Sequence, residues 1–177
     1  MSEAVPRQTI FSGRIIDVGL EEHLLPNGRQ ATFEVIRHPG GAAVLPVLPD
    51  GRLLMIHQYR PVIGRMIYEI PAGRLEVGES PEECVARELV EETGYHAEEF
   101  TALGSLWSAV GFCDERVDLF IATGLTETQS ALEPDEVIEL APMTLEEALA
   151  LVDQGDLLDS KTLVALLRYA RMEGVVR

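Results

Sequence analysis

Residues 73–95 read GRLEVGESPEECVARELVEETGY, and this stretch decides how the rest of the chain is read. Gly73 ends an apolar strand-like segment and opens a loop, where a residue without Cβ lets the backbone approach a neighbour closely. Ser80-Pro81-Glu82-Glu83 predicts a helix start. Ser80 is the N-cap, Pro81 suits the first helical position and Glu83 completes a capping box. The helix runs to about Thr93, and Gly94 fits the left-handed position after its end. On it Glu88 and Glu92 stand four residues apart and share a face, with Glu91 beside them. Like charges at that spacing cost a bare helix ~0.2–0.5 kcal/mol per pair. Two readings are open for them: solvated helix glutamates, or an oxygen cage for one to three divalent ions, with Glu79 reaching in from the loop. Arg87 forms an i, i+4 pair with Glu91 and can hold a loop glutamate in place. A purely structural Glu79–Arg87 pair is the alternative to Glu79 as an ion ligand. Val85, Leu89 and Val90 give the helix a side to bury.

The chain around it has 177 residues, enough for one domain, or one domain with an arm. Its 30 acidic and 14 basic residues give a formal charge of −16. That argues against a general nucleic-acid binder, which shows a basic face, and against attachment to anionic membrane by charge. No apolar run approaches the ~20 residues of a spanning helix. MSEAVPRQTIFSG shows no secretory signal. Two cysteines, Cys84 and Cys113, make neither a disulfide framework nor a zinc site, so a reducing cytoplasm is the expected compartment. Residues 1–68 are nearly neutral, at +1, so the acidity lies beyond them. Residues 76–99 hold nine glutamates against Arg87 alone, and residues 127–156 hold nine acids with no Lys or Arg. Such blocks are solvated faces or cation sites.

Strands are expected over 9–19 and 31–38, joined through Pro26-Asn27-Gly28, and over 42–49 and 52–60, joined as a hairpin at Asp50-Gly51. Further strands are expected at 66–70, 103–110, 116–124 and 136–143. A second capping box, Thr144-Leu145-Glu146-Glu147, opens a helix ending at Gly155, and a third helix runs from Ser160 to about Met172. This order predicts a mixed sheet covered by helices, an α/β or α+β layered fold. Trp107 and Phe112 are read as core residues, with the border of a base-binding pocket as the alternative, and Cys84 as a small buried hydrophobe. Cys113 has no base partner in the pattern and is not read as a nucleophile.

Gly73, five residues, Glu79, seven residues, Arg87-Glu88-Leu89, one residue, Glu91-Glu92, one residue, Gly94 reproduces the Nudix box. Its final position, usually a small aliphatic residue, is Tyr95. The segments His38-Pro39-Gly40, Gln58-Tyr59-Arg60, Glu69-Ile70-Pro71-Ala72-Gly73 and Gly111-Phe112-Cys113-Asp114-Glu115 resemble the ADP-ribose pyrophosphatase branch of the Nudix superfamily. The likeness runs from about residue 10 to residue 170. Val110 stands where that branch commonly has proline, which leaves several nucleoside diphosphates open as substrate.

The resemblance implies a Nudix-type α/β/α sandwich with a mixed β-sheet and an N-terminal β-strand extension. Residues 1–40 would be a dimer-forming strand region and residues 41–177 the hydrolase domain. The implied activity is metal-dependent cleavage of the diphosphate of ADP-ribose or a related nucleoside diphosphate sugar. Alternatives are GDP-mannose, a dinucleoside polyphosphate, or a non-catalytic ADP-ribose sensor. Mg²⁺ or Mn²⁺ would be held by Glu88, Glu92 and the backbone carbonyl of Ala72, with Glu91 nearby. The base would come from the acidic loop 131–140, Glu136 first and Glu133 second, with Asp135, Glu115 and Glu91 as further candidates. Arg37, Arg60, Glu69 and Arg74 are assigned to substrate, with Arg65 a further arginine in the same less acidic third. The implied partners are the nucleoside diphosphate sugar and a second copy of the chain.

Overall fold

The computed structural model describes residues 5–132, 134 and 136–176. It divides into two compact units. One unit comprises residues 1–40 with 107–116, the other residues 41–106 with 117–177.

The first unit is an antiparallel sheet of β1 (Arg7–Ser12), β2 (Asp17–Leu24) and β3 (Gln30–Arg37), in that order. The single strand expected over 9–19 is two strands. Gly13 N donates to Ile16 O at 2.9 Å and closes a turn that pairs Ser12 with Asp17. Glycine suits the bend, because a Cβ at position 13 would lie 2.7 Å from the Phe11 ring. The Pro26-Asn27-Gly28 turn connects β2 to β3, with Gly28 at φ 79°. The segment 107–116 joins this unit: Ile36 N donates to Phe112 O at 2.7 Å. Trp107 and Phe112, expected in the core, are both exposed.

The second unit contains β4 (Gly41–Pro46), β5 (Leu53–Arg60), β6 (Arg65–Glu69), β7 (Ala72–Arg74), α1 (Pro81–Thr93) and β8 (Tyr95–His96). They are followed by β9 (Glu99–Trp107), β10 (Arg116–Thr123), β11 (Thr126–Glu127), β12 (Ile138–Met143), α2 (Leu145–Gln154) and α3 (Ser160–Met172). One sheet has the order β7-β4-β10-β9 and is mixed: β10 runs parallel to β4 and β7 antiparallel to it. A second, antiparallel sheet has the order β12-β5-β6, and β11 pairs with β8.

The turn at Asp50-Gly51 forms, with Leu48 N donating to Arg52 O at 2.8 Å, but β4 and β5 do not make a hairpin ladder. They meet only at a bridge between Val47 and Leu53, then part into different sheets. Pro46 and Pro49 have no N–H to extend the ladder.

All six residues of β4 are buried, as expected of a strand covered on both faces. Ala43 and Leu45 face one core with Leu53, Met55, Leu119, Ala148, Ala165 and Leu166, so α2 and α3 cover that side. Ala42 and Val44 face the other with Cys84, Val85 and Leu89, so α1 covers the opposite side. This alternation is the period of two of a strand, and it makes the unit an α/β/α sandwich. Leu45 is wholly buried in the α2–α3 core. Leu45→Ala should lower stability by about 2–5 kcal/mol, read as a lower urea midpoint with an unchanged m value.

Candidate active site

The site is built on α1 because the helix start is fixed by its own sequence. Ser80 N donates to Glu83 Oε2 at 2.8 Å and Glu83 N donates to Ser80 Oγ at 3.3 Å, the reciprocal pair of a capping box. At the other end Gly94 adopts φ 72° and donates to Val90 O. With both ends set and Cys84, Val85 and Leu89 buried, the helix has no rotational freedom. Its glutamates at 88 and 92 are thereby turned toward β7.

Glu92 is only 4% exposed, and its Oε2 accepts a hydrogen bond from Ala72 N at 3.0 Å. Glu88 lies across Gly73 so closely that a Cβ there would stand 1.6 Å from Glu88 Oε1. Only glycine leaves room for that carboxylate. Burial pushes the Glu92 carboxyl up to about 8, helped by the charges of Glu88 and Glu136 and opposed by the Ala72 N–H and Lys161. Burial also raises Glu88, against the hydrogen bond from Arg87 and with the charges of Glu91 and Glu136. Two desolvated carboxylates one turn apart, with the charge of Glu88 raising Glu92, are chemically suited to a hard divalent cation. Among the described residues no group of three His, Cys, Asp or Glu side chains makes a complete ion cage.

Arg87 ties the surrounding parts together. Its Nε and Nη2 donate to Glu79 Oε1 and Oε2 at 2.9 and 3.0 Å, and its Nη1 donates to Glu88 at 2.6 Å and to Glu91 at 3.0 Å. Nη2 also donates to Arg74 O at 3.3 Å. Glu79, held below the usual carboxylate range first by Arg87, also accepts from Glu76 N at 2.9 Å. Both of its oxygens are thus occupied in fixing the loop. Glu91 is the more exposed carboxylate of the helix trio. Cys84 Sγ is buried beside the carbonyls of Gly73 and Arg74, and its thiol is pushed up to about 12 by burial.

Glu136 is half-buried, and its negative charge acts on both Glu88 and Glu92. Tyr59 N donates to Val137 O at 3.0 Å and anchors its segment to β5. Glu133 and Asp135 lie outside the described residues. Arg60 forks onto Glu69, Nε to Oε1 at 2.6 Å and Nη2 to Oε2 at 2.8 Å. The charge of Glu92 also acts on Arg60. Arg74 ends β7, and Arg65 begins β6 opposite Arg60. Arg37 and Glu115 belong to the N-terminal unit. There Arg37 donates to Glu21 at 2.8 and 2.6 Å and to Asp114 at 2.8 Å, and Glu115 lies 3.6 Å from His38.

Two residues, Lys161 and Asp159, had no place in the sequence reading. Lys161, with Asp159 beside it, contacts Glu69. The only local signal was that Lys161 is the single lysine among thirteen arginines. Gln58, on β5 two residues before Arg60, is buried, and its Oε1 has no hydrogen-bond partner among the described residues.

The raised Glu92 fixes the sign of a pH effect. In the metal-free protein its proton is held more tightly folded, near 8, than unfolded, near 4.5. That contribution to stability is complete below pH 4.5 and is lost as pH rises toward 8. Thermal melts in chelator should therefore fall over that window, and Glu92→Gln should flatten the fall.

Comparison with known proteins agrees with this geometry. The family model for the NUDIX domain matches residues 37–165. An ADP-ribose pyrophosphatase of Bacillus subtilis (strain 168) is 42% identical, covering 93% of this chain and 90% of its own. A methanol dehydrogenase activator of Bacillus methanolicus is 37% identical over 99% of this chain and 95% of its own. A crystal structure of an ADP compounds hydrolase superposes with a TM-score of 0.82 at 20% identity, covering 98% of this chain and 96% of that one, so the fold is shared. Nudix hydrolases generally need a divalent metal, and the paired carboxylates on α1 are where this chain could hold one. With the box helix in place and the family match spanning most of its length, the chain belongs to the Nudix hydrolases.

Proposed function

We propose that the protein hydrolyses the diphosphate of ADP-ribose, or of a closely related nucleoside diphosphate sugar, to AMP and ribose 5-phosphate or their counterparts. The observation that carries this reading is the buried Glu88–Glu92 pair against Ala72 and Gly73, with the charge of Glu136 on both. The 42% relationship with an ADP-ribose pyrophosphatase supports the choice of substrate. The acidity of the chain supports a small anionic ligand held by local cations rather than a nucleic acid.

In this proposal Glu88 and Glu92, with the Ala72 carbonyl, hold Mg²⁺ or Mn²⁺, and Glu91 stands by as a further carboxylate. When bound, such an ion offsets charge on the diphosphate and lowers the proton affinity of water. Arg87 keeps Glu88 in position from the side away from substrate. Arg60, with Arg74 beside the box, meets the diphosphate oxygens. Glu136 accepts the proton of the attacking water and holds that water in line with the bond to be broken. One P–O bond forms to water and the bridging P–O bond breaks, its oxygen leaving on the second phosphate.

The apolar side chains Ile10, Phe11 and Phe33 are exposed on the N-terminal sheet, which supports a homodimer formed through it. Both cysteines are free thiols, which suits the cytoplasm. No helix among the described residues is long and apolar enough to cross a membrane.

Incubation with ADP-ribose and Mg²⁺ should release AMP and ribose 5-phosphate at a kcat/KM above that for GDP-mannose or a dinucleoside polyphosphate. Absence of a nucleoside monophosphate from every member of that panel, with either metal, ends the reading. Glu92→Gln should lower kcat by ~10³ while leaving the fold intact, because it removes metal-binding charge and keeps shape. Glu136→Gln should lower kcat by ~10²–10⁴ with metal affinity unchanged, as for loss of a general base. Calorimetric titration of metal separates the two variants.

A further inference from the structure

Glu69 is 1% exposed at the end of β6, and three donors surround it. Arg60 takes both of its oxygens side-on, and Lys161 Nζ donates to Oε2 as well. Lys161 is in turn held by Asp159 Oδ1 at 2.9 Å. Asp159 is the N-cap of α3, its Oδ2 accepting from Thr162 N at 2.9 Å and from Thr162 Oγ1 at 2.5 Å. The same Thr162 hydroxyl oxygen accepts from Ile70 N at 3.0 Å. The first turn of α3 is thus fastened to two successive residues, Glu69 and Ile70, 92 positions earlier in the chain.

This arrangement orients an arginine. Glu69 takes the Nε–Nη2 edge of Arg60, and no described residue takes Nη1. The exposure follows the same gradient: Glu69 at 1%, Lys161 at 14% and Arg60 at 40%. Lys161 supplies the second cation that a buried carboxylate needs and fixes the plane of the Glu69 carboxylate. That plane sets the direction of the guanidinium, because a bidentate fork is coplanar with its partner. A ligand that meets an arginine already held in place loses less entropy on binding than one that must order it.

We infer that Lys161 is a positioning residue which, through Glu69, holds the Nη1 edge of Arg60 toward a phosphate oxygen of the substrate. The inference rests on Arg60 meeting the diphosphate, as proposed above.

Kinetics of Lys161→Met with and without Arg60→Ala test it. Lys161→Met should raise KM for ADP-ribose about tenfold with kcat within about twofold, because the lost contact is made equally in ground and transition states. In the Arg60→Ala background the same change should alter KM by less than about twofold, since the two residues act in series. Lys161→Arg should restore most of the affinity. An unchanged KM in Lys161→Met, or equal effects in both backgrounds, overturns the inference. If Lys161→Met does not fold, the charge-balanced double variant Glu69→Gln with Lys161→Met carries the same comparison.

A second readout does not depend on turnover. The Arg60 Nε–H resonance, assigned by its loss in Arg60→Ala, should exchange slowly with solvent in the wild type and rapidly when Lys161 is Met. Unchanged exchange overturns the inference. A wild type that hydrolyses no diphosphate ends the functional reading, whereas an active wild type with independent effects of Lys161 and Arg60 ends only this one.

Discussion

The structure depends on the burial of two like charges on one helix face. Glu88 and Glu92 sit one turn apart where water cannot solvate them fully, so burial raises both and the charge of Glu88 raises Glu92 further. An unpaired carboxylate in such a place is costly, and without a cation the chain meets the cost with neighbours and by Glu92 keeping its proton up to about pH 8. Ala72 donates its N–H to Glu92, and Arg87 donates to Glu88 from the opposite side. Neither neutralises the pair, since the charge of Glu136 acts on both carboxylates. A surplus of negative charge in a desolvated cleft is the condition under which a divalent ion gains most from binding. The same surplus is a reason for the folded state to be less stable without one.

That constraint passes outward through the backbone. Glu88 can cross β7 only because residue 73 has no Cβ. Arg87 points the other way around the helix, gathering the Glu79 loop and the Arg74 carbonyl. The capping box and the left-handed Gly94 then stop the helix from sliding or rotating. Each device is local, yet together they set the position of two carboxylates against a strand from a different part of the chain.

This locality is why so much of the site was legible in the sequence. The i, i+4 spacing of Glu88 and Glu92, the Ser80 and Thr144 caps and the glycines at 94 and 155 act within a turn or two of themselves, and all appear where the sequence places them. Long-range arrangements were not legible. The Asp50-Gly51 turn forms as its residues require, but turn chemistry does not say that its two strands will part into separate sheets. Gly13 bends a run that reads as one strand, because the choice between bend and ladder is made by the partner strand. The aromatic character of Trp107 and Phe112 suggests core, but exposure is decided by the surrounding fold, and both are exposed. Beyond being the single lysine, Lys161 gave no sign of its contact with Glu69, because that partner lies 92 residues away.

The α1 carboxylates and the β5–β6 cluster therefore differ in kind. On the α1 side, negative charge is left partly uncompensated, which on the proposed function would favour a cation. On the β5–β6 side, Glu69 is saturated by Arg60 and Lys161 and is held below its usual range despite a burial that alone would raise it. Arg60 and Lys161 bring two positive charges, and Glu69 and Asp159 two negative ones, so this cluster is close to neutral and offers direction rather than net field. A diphosphate spanning both would meet charge from an ion at one side and oriented donors at the other. On the proposed function, that division would let so acidic a protein accept an anionic substrate, with attraction confined to a metal and a guanidinium edge and the surrounding carboxylates committed to holding them.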